Sequence, residues 1–203
     1  MAIMTKLKFM NDVLRPWDEL NELLSLQYAF QPDLSAVTRL AGNIAIAIRH
    51  QVDFSSLNDK QANNLSHEHQ IICDVGDYYK HGSLRNPERN NSIQVLAIFE
   101  YDNDQFAFLR NMIEIDHVTY GLYDFMEVTA IAAKFWIEQH SLDIDWPGKI
   151  QTISPKKFNY EAVLKFDSKY CIEMESTRIK IFKADSNKKL RPYSPKELRF
   201  CII

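Results

Sequence analysis

The spacing of apolar residues first changes along this chain just past Asn91, and no other feature constrains the fold as much. Before that point apolar side chains recur every three or four residues, the mark of helices with one buried side. After it, Ile93, Val95, Ala97, Phe99 and Tyr101 recur at every second position, as in a half-buried strand. Asp102-Asn103-Asp104 has turn composition, and Phe106, Phe108, Ile113 and Ile115 resume the alternation. A β-hairpin at about 92–117 is therefore predicted between helices.

The helical part divides at its breakers. Pro16-Trp17-Asp18-Glu19 reads as a helix start, with Leu20, Leu23, Leu24 and Tyr28 on one side until Pro32. Asp33 restarts a helix whose buried side is Leu34, Val37, Leu40, Ala41, Ile44 and Ile48. Its small residues Ala41, Gly42, Ala45 and Ala47 permit close helix approach. A third helix runs from about Asp59 to His81, with an interruption near Ser66, and Gly82 supplies the left-handed residue that ends it. Tyr120 to Tyr123 reads as a connector. The fourth helix, about Tyr123 to His140, is apolar over most of its girth, which places it centrally. Beyond Trp146-Pro147-Gly148 the pattern is strand-like at Tyr160–Phe166, Tyr170–Met174, Arg178–Phe182 and Leu198–Ile203. The expected architecture is α+β: a four-helix bundle-like module over 1–147 carrying the hairpin, then a small basic antiparallel sheet over 148–203 packed on it.

Composition narrows the classes. An apolar fraction of 46 % in 203 residues is enough for a real core. Cys73, Cys171 and Cys201 lie far apart, which is neither a disulfide framework nor a cysteine zinc site, and fits a reducing compartment. The N-terminal stretch lacks a long apolar run, and the most apolar run, Ala41 to Ile48, is far short of a membrane span. A cytoplasmic protein without membrane contact is the expectation.

Charge is unevenly placed. From Lys149 onward there are 13 basic and 6 acidic residues, against 11 and 21 before it. One reading is a basic face for nucleic acid or another polyanion. The other is that the basic part docks on the acidic part, in the same chain or in a second copy, giving a homodimer. The basic residues include Lys156, Lys157, Arg178, Lys180, Lys188, Lys189 and Arg191, with Tyr160, Tyr170 and Tyr193 interleaved. Cations among aromatics suit single-stranded nucleic acid. A sheet with one wet face has the same alternation, as Arg178 and Lys180 do against Ile179 and Ile181.

Two further sets of residues bear on chemistry. At the end of the third helix, Asp74, Asp77, Lys80, His81 and Arg85 combine acid, cation and imidazole. Asp77 and His81 stand one turn apart. Such a set suits proton transfer or holding a phosphate or carboxylate, and equally an ordinary polar helix face. His69, Cys73, Asp77 and His81 form a four-step stripe of metal-competent types. That stripe spans about 18 Å at 1.5 Å per residue, so one ion reaches only two adjacent members. No metal and no cofactor is expected.

The second set is Arg110-Asn111 followed by His117. Together with the helix count and the Lys80-His81 element, it resembles the HEPN-type helical domain over roughly residues 16–142. Many members of that family are metal-independent ribonucleases. The resemblance implies that Arg110 stabilises phosphate charge, His117 acts as acid and base, and Asn111 orients. The alternation around Ile113 and Ile115 argues for a strand there, and on a strand a separation of seven puts Arg110 and His117 on opposite faces. No Walker-type or dinucleotide glycine loop, Gly-x-Ser-x-Gly elbow or His-Glu-x-x-His occurs. The leading expectation is a self-associating, non-catalytic binding protein with an RNA or protein partner. A HEPN-like ribonuclease is the alternative.

Overall fold

A computed structural model describes residues 4–25, 34–82, 84–102, 105–152 and 178–194, without the side chains of 105, 106, 178 and 179. The first helical rod begins at Lys6, well before the expected start at Pro16. It runs as α1 (Lys6–Phe9), a wide turn over Met10–Leu14 and α2 (Arg15–Leu24). Proline ordinarily breaks such a rod because it has no N–H for the carbonyl four residues back. Here the turn before Pro16 is π-helical, with the Arg15 N–H donating to the Met10 carbonyl, so the rod passes through. Phe9, Val13, Leu14, Trp17, Leu20 and Leu24 line its buried side.

The next helices fall where the periodicity places them. α3 (Leu34–Arg49) buries Val37, Leu40, Ala41, Ile44, Ala45 and Ile48. The predicted interruption near Ser66 separates α4 (Asp59–Leu65) from α5 (His67–His81), and the Ser66 hydroxyl caps α5 by accepting from the His69 N–H. At Gly82, with φ +71°, α5 ends, and the Gly82 N–H donates to the Tyr78 carbonyl at 2.7 Å. Glycine is also needed where α3 and α5 cross. A Cβ on Gly76 would lie 3.1 Å from the Ala45 carbonyl oxygen.

The hairpin comprises β1 (Asn91–Asp102) and β2 (Gln105–His117), antiparallel with Asn91 opposite His117 and a bulge after Ile98. The expected connector after it is instead a short strand, β3 (Gly121–Asp124), paired antiparallel with β2. Four residues are too few for alternation to declare itself. α6 (Phe125–Gln139) follows at once, capped by the Asp124 carboxylate, and buries Phe125, Met126, Val128, Ala132 and Trp136.

β4 (Arg178–Ala184) and β5 (Leu190–Pro192) complete a sheet of order β3-β2-β1-β4-β5. β4 joins the hairpin directly and runs parallel to β1, whereas the expectation was a wholly antiparallel sheet of its own. The reason lies in β1. Its even positions Leu96 and Ile98 are buried as fully as its odd positions Ala97 and Phe99. A strand buried on both faces cannot leave one edge without hydrogen-bond partners. The expected strands at Tyr160–Phe166, Tyr170–Met174 and Leu198–Ile203 lie outside the described residues.

The fold is thus α+β, as read from the sequence. Bundle-like packing was the finer expectation. What is described is α2 against α3, α3 against α5 and α5 against α6. One continuous core joins these helices to Val95, Ile113 and Ile115 of the sheet. A smaller cluster, Leu96, Ile98, Leu109 and Met112 with Phe182, occupies the opposite sheet face. Among the described residues no helix is long and apolar enough to cross a membrane.

Candidate functional site

Two of the residue sets singled out in the sequence meet in space. Asp74 faces inward from α5 and is 2 % exposed; His117, at the end of β2, is 1 % exposed. The Asp74 Oδ2 lies 3.1 Å from the His117 Nε2. The other imidazole nitrogen, Nδ1, accepts from the Thr119 backbone N–H at 3.2 Å. That acceptor role puts the ring proton on Nε2, which donates to Asp74. Tyr120 covers the imidazole, ring centroids 4.6 Å apart, and His67 stands edge-on to Tyr120 at 4.5 Å. Burial, and then the Asp74 charge, push the Tyr120 phenol upward.

The second partner of Asp74 comes from the loop. Pro87 opens a short turn whose start is capped by Asn86, and this turn carries Arg89 back over α5. The Arg89 Nε donates to Asp74 Oδ1 at 2.6 Å and Nη2 donates to Asp77 Oδ2 at 2.8 Å, while Nη2 also lies 2.5 Å from Asp74 Oδ1 as an ion pair. The Arg49 Nε donates to the other oxygen of Asp77 at 3.2 Å, and the Arg49 fork goes on to Asp59. The loop is fixed from its far side as well, since the Val118 N–H donates to the Asn90 carbonyl. The result is a chain of charge-assisted bonds through α3, α4, α5, the loop and β2. Both oxygens of Asp74 and of Asp77 are occupied within it.

Lys80, His81 and Arg85 do not join this network. All three are exposed. The Asp77–His81 pairing suggested by helical spacing gives way because two guanidinium groups already hold the Asp77 carboxylate. Arg89 is the residue that sequence reasoning missed. Its only signal was membership of a loop rich in Asn, Arg and Pro. The four-step stripe also disperses. His69 and Cys73 turn toward Trp136, Asp77 toward the arginines, and His81 toward solvent.

The buried His69–Cys73 pair is held in its neutral forms. The Trp136 indole N–H donates to His69 Nδ1 at 3.1 Å, which leaves Nε2 to carry the proton toward the Cys73 sulfur, 3.3 Å away. Burial, with Arg49 nearby, lowers His69 to about 4. Burial likewise pushes the Cys73 thiol up to about 12, so it is not a thiolate near neutral pH.

Arg110 lies elsewhere. The register is unbroken from Arg110 to His117, so their separation of seven places them on opposite faces of β2. The Arg110 guanidinium donates to the buried Asp124 carboxylate and, through Nη1, to the Asn111 carbonyl. Asn111 is fully buried, on the face that His117 shares. Asp124 is therefore used twice, for Arg110 and for the α6 cap. Burial, with Asp124 second, raises the pKa of nearby Glu127.

The basic candidates divide as well. Lys180 donates to the buried Glu114, which also receives the Gln94 amide, so that cation serves the β1–β2–β4 junction. Lys188, Lys189 and Arg191 are exposed around the β4–β5 turn. Lys156 and Lys157 lie outside the described residues, as does the Arg178 side chain. Compared with protein-family models, with characterised proteins and with solved structures, the chain matches none.

Proposed function

We propose that this chain is a non-catalytic binding protein that associates with a second copy of itself. One observation carries the reading: the groups that would perform acid–base chemistry are buried and already bonded to one another. His117 has both nitrogens engaged, Asp74 both oxygens, and Arg110 is held by Asp124. A general base must reach the proton it abstracts, and a phosphate-binding arginine must have donors to offer. These groups are committed to holding α5, the loop and β2 in register. Self-association rests on the charge split, acidic before Lys149 and basic after it, which favours contact between unlike ends of two copies.

The alternative is a HEPN-like ribonuclease using Arg110, Asn111 and His117, for which the Arg-Asn-x5-His spacing speaks. Incubation with mixed RNA in EDTA, beside a His117→Ala variant, separates the two. The binding reading expects no cleavage by either. Cleavage that disappears in the variant overturns it. Light scattering at low and high salt tests self-association, with a salt-insensitive monomer counting against it.

A further inference from the structure

We infer that the far end of the sheet, where Tyr101, Lys183 and Tyr193 meet, is a stacking platform for single-stranded nucleic acid. The inference rests on the binding reading above and names the partner. Tyr101 stands near the end of β1 and Tyr193 follows β5, so the two residues are distant in sequence. Their rings nevertheless lie parallel, centroids 5.0 Å apart and planes 10° from each other. The Lys183 ammonium is 5.6 Å from both centroids, over the pair. The Tyr193 N–H fixes the arrangement by donating to the Ile181 carbonyl at 2.8 Å.

The sheet register explains why these groups converge. In β4, Lys183 is opposite Arg191 of β5, and Phe182 is opposite Glu100 of β1. Alternation therefore puts Tyr101, Lys183, Arg191 and Tyr193 on one face of the sheet. Lys180 and Phe182 point to the other face, where Lys180 meets Glu114 and Phe182 packs on the smaller cluster. On the same face, residues nearer the start of β1, such as Val95, are under the helices. The tyrosine pair lies at the opposite end of that strand.

Charge accompanies the rings. Residues 178–194 hold six basic side chains and one acid, Asp185. Lys183, Lys188, Lys189 and Arg191 are exposed there. Asp185 is spent on the turn, where its carboxylate accepts from the Asn187 and Lys189 N–H groups and from the Arg191 Nε. The cations are thereby fanned around the turn beside the ring pair. Among the described residues the second face of Tyr193 meets no ring. A base laid on that face extends the stack, with its phosphates within reach of the fanned cations. Base–aromatic stacking is indifferent to sequence because every base has a π face. A paired duplex does not offer that face, so the platform favours single strands.

The test uses the full chain and two probes of about twelve nucleotides, a fluorescent oligo-dT and an oligo-U RNA. Anisotropy should show oligo-dT binding that weakens as salt rises, with a log–log slope of about −3 if four cations each neutralise one phosphate. Tyr193→Ala should weaken binding about tenfold, while Tyr193→Phe, which keeps the ring, should stay near wild type. Lys183→Gln should make the slope shallower by about 0.7. A duplex of equal length should bind more weakly. Absence of binding at about 50 mM salt overturns the platform. So does Tyr193→Ala binding equal to wild type, or equal affinity for duplex and single strand, since charge alone would then explain the result. The oligo-U RNA is recovered and sized. Cleaved RNA overturns the non-catalytic reading, whereas intact RNA with unbound oligo-dT overturns only the platform.

Discussion

Asp74 and His117 are 43 residues apart and meet at 3.1 Å in the core, with the imidazole proton directed at the carboxylate. This contact fastens the middle of α5 to the end of β2, and Arg89 closes it from the loop. Removing the acid should therefore cost more than removing either partner. Asp74→Ala leaves the buried His117 N–H without an acceptor and takes one of the two carboxylates that hold Arg89, Asp77 remaining, and the expected loss is about 1–3 kcal/mol. Asp74→Asn keeps an acceptor and should lose less. Urea unfolding of both variants measures the order, and equal losses would show that the amide oxygen recovers nothing and that the carboxylate charge carries the whole contact.

Asp124 makes a second junction. Its carboxylate holds Arg110 and also caps α6 through the Met126 N–H at 2.9 Å. Asp124→Ala removes the cap, worth about 1 kcal/mol, and strands a buried guanidinium as well. Arg110→Met also leaves a buried charge, but the Asp124 carboxylate keeps the Met126 N–H and the positive end of α6, and the methionine lies beside Met112 and the small cluster. Denaturation midpoints should therefore fall further for Asp124→Ala than for Arg110→Met. The opposite order would mean that the cap is weak and the cation dominates.

Much of this fold could be read in advance, and the omissions have physical reasons. Helix bounds at Ser66 and Gly82 were legible because capping is local: one hydroxyl, one left-handed glycine. The hairpin was legible because apolar residues recur at every second position from Ile93 to Tyr101, although burial itself does not alternate there. The start of the first rod at Lys6 was not, since Pro16 signals a start and the π turn that tolerates it leaves no mark in composition. β4 against β1 was equally hidden, because a parallel pairing between strands so far apart depends on an edge that only the folded sheet presents. For the candidate site, Asp74, Asp77 and His117 were named in two separate sets. Their union required Arg89, which lies in a loop whose path no periodicity describes.

The α3–α5 crossing gives a prediction about two glycines. A Cβ on Gly42 would fall 2.3 Å from the Tyr79 ring, and on Gly76 it would fall 3.1 Å from the Ala45 carbonyl oxygen. Tyr79 is 39 % exposed, so its ring can swing outward. The Ala45 backbone cannot, because Ile44 and Ile48 anchor the same helix in the core. Alanine gains about 1 kcal/mol over glycine within a helix. Gly42→Ala should consequently be near neutral, while overpacking of about 1–3 kcal/mol should make Gly76→Ala a net loss. Thermal melts decide it, and a more stable Gly76→Ala protein would show that the two helices can part without cost.

The last prediction concerns acid. His69 is lowered from 6.5 to about 4, so between those values the unfolded chain takes up a proton that the folded chain refuses. Stability then rises with pH across that window, and falls as pH drops from about 6.5 toward 4. Below about 4 both states hold the proton and this contribution levels off. The shift corresponds to about 3 kcal/mol at 1.36 kcal/mol per unit. The physical cause is burial against Trp136 and Cys73, with Arg49 adding repulsion. His69→Gln keeps an acceptor for the Trp136 indole and removes the titration. Urea midpoints at about pH 7, 5.5 and 4.5 should fall steeply for the native chain and less for His69→Gln, converging as the pH drops. Parallel pH curves for the two proteins would mean that His69 takes no part in acid sensitivity.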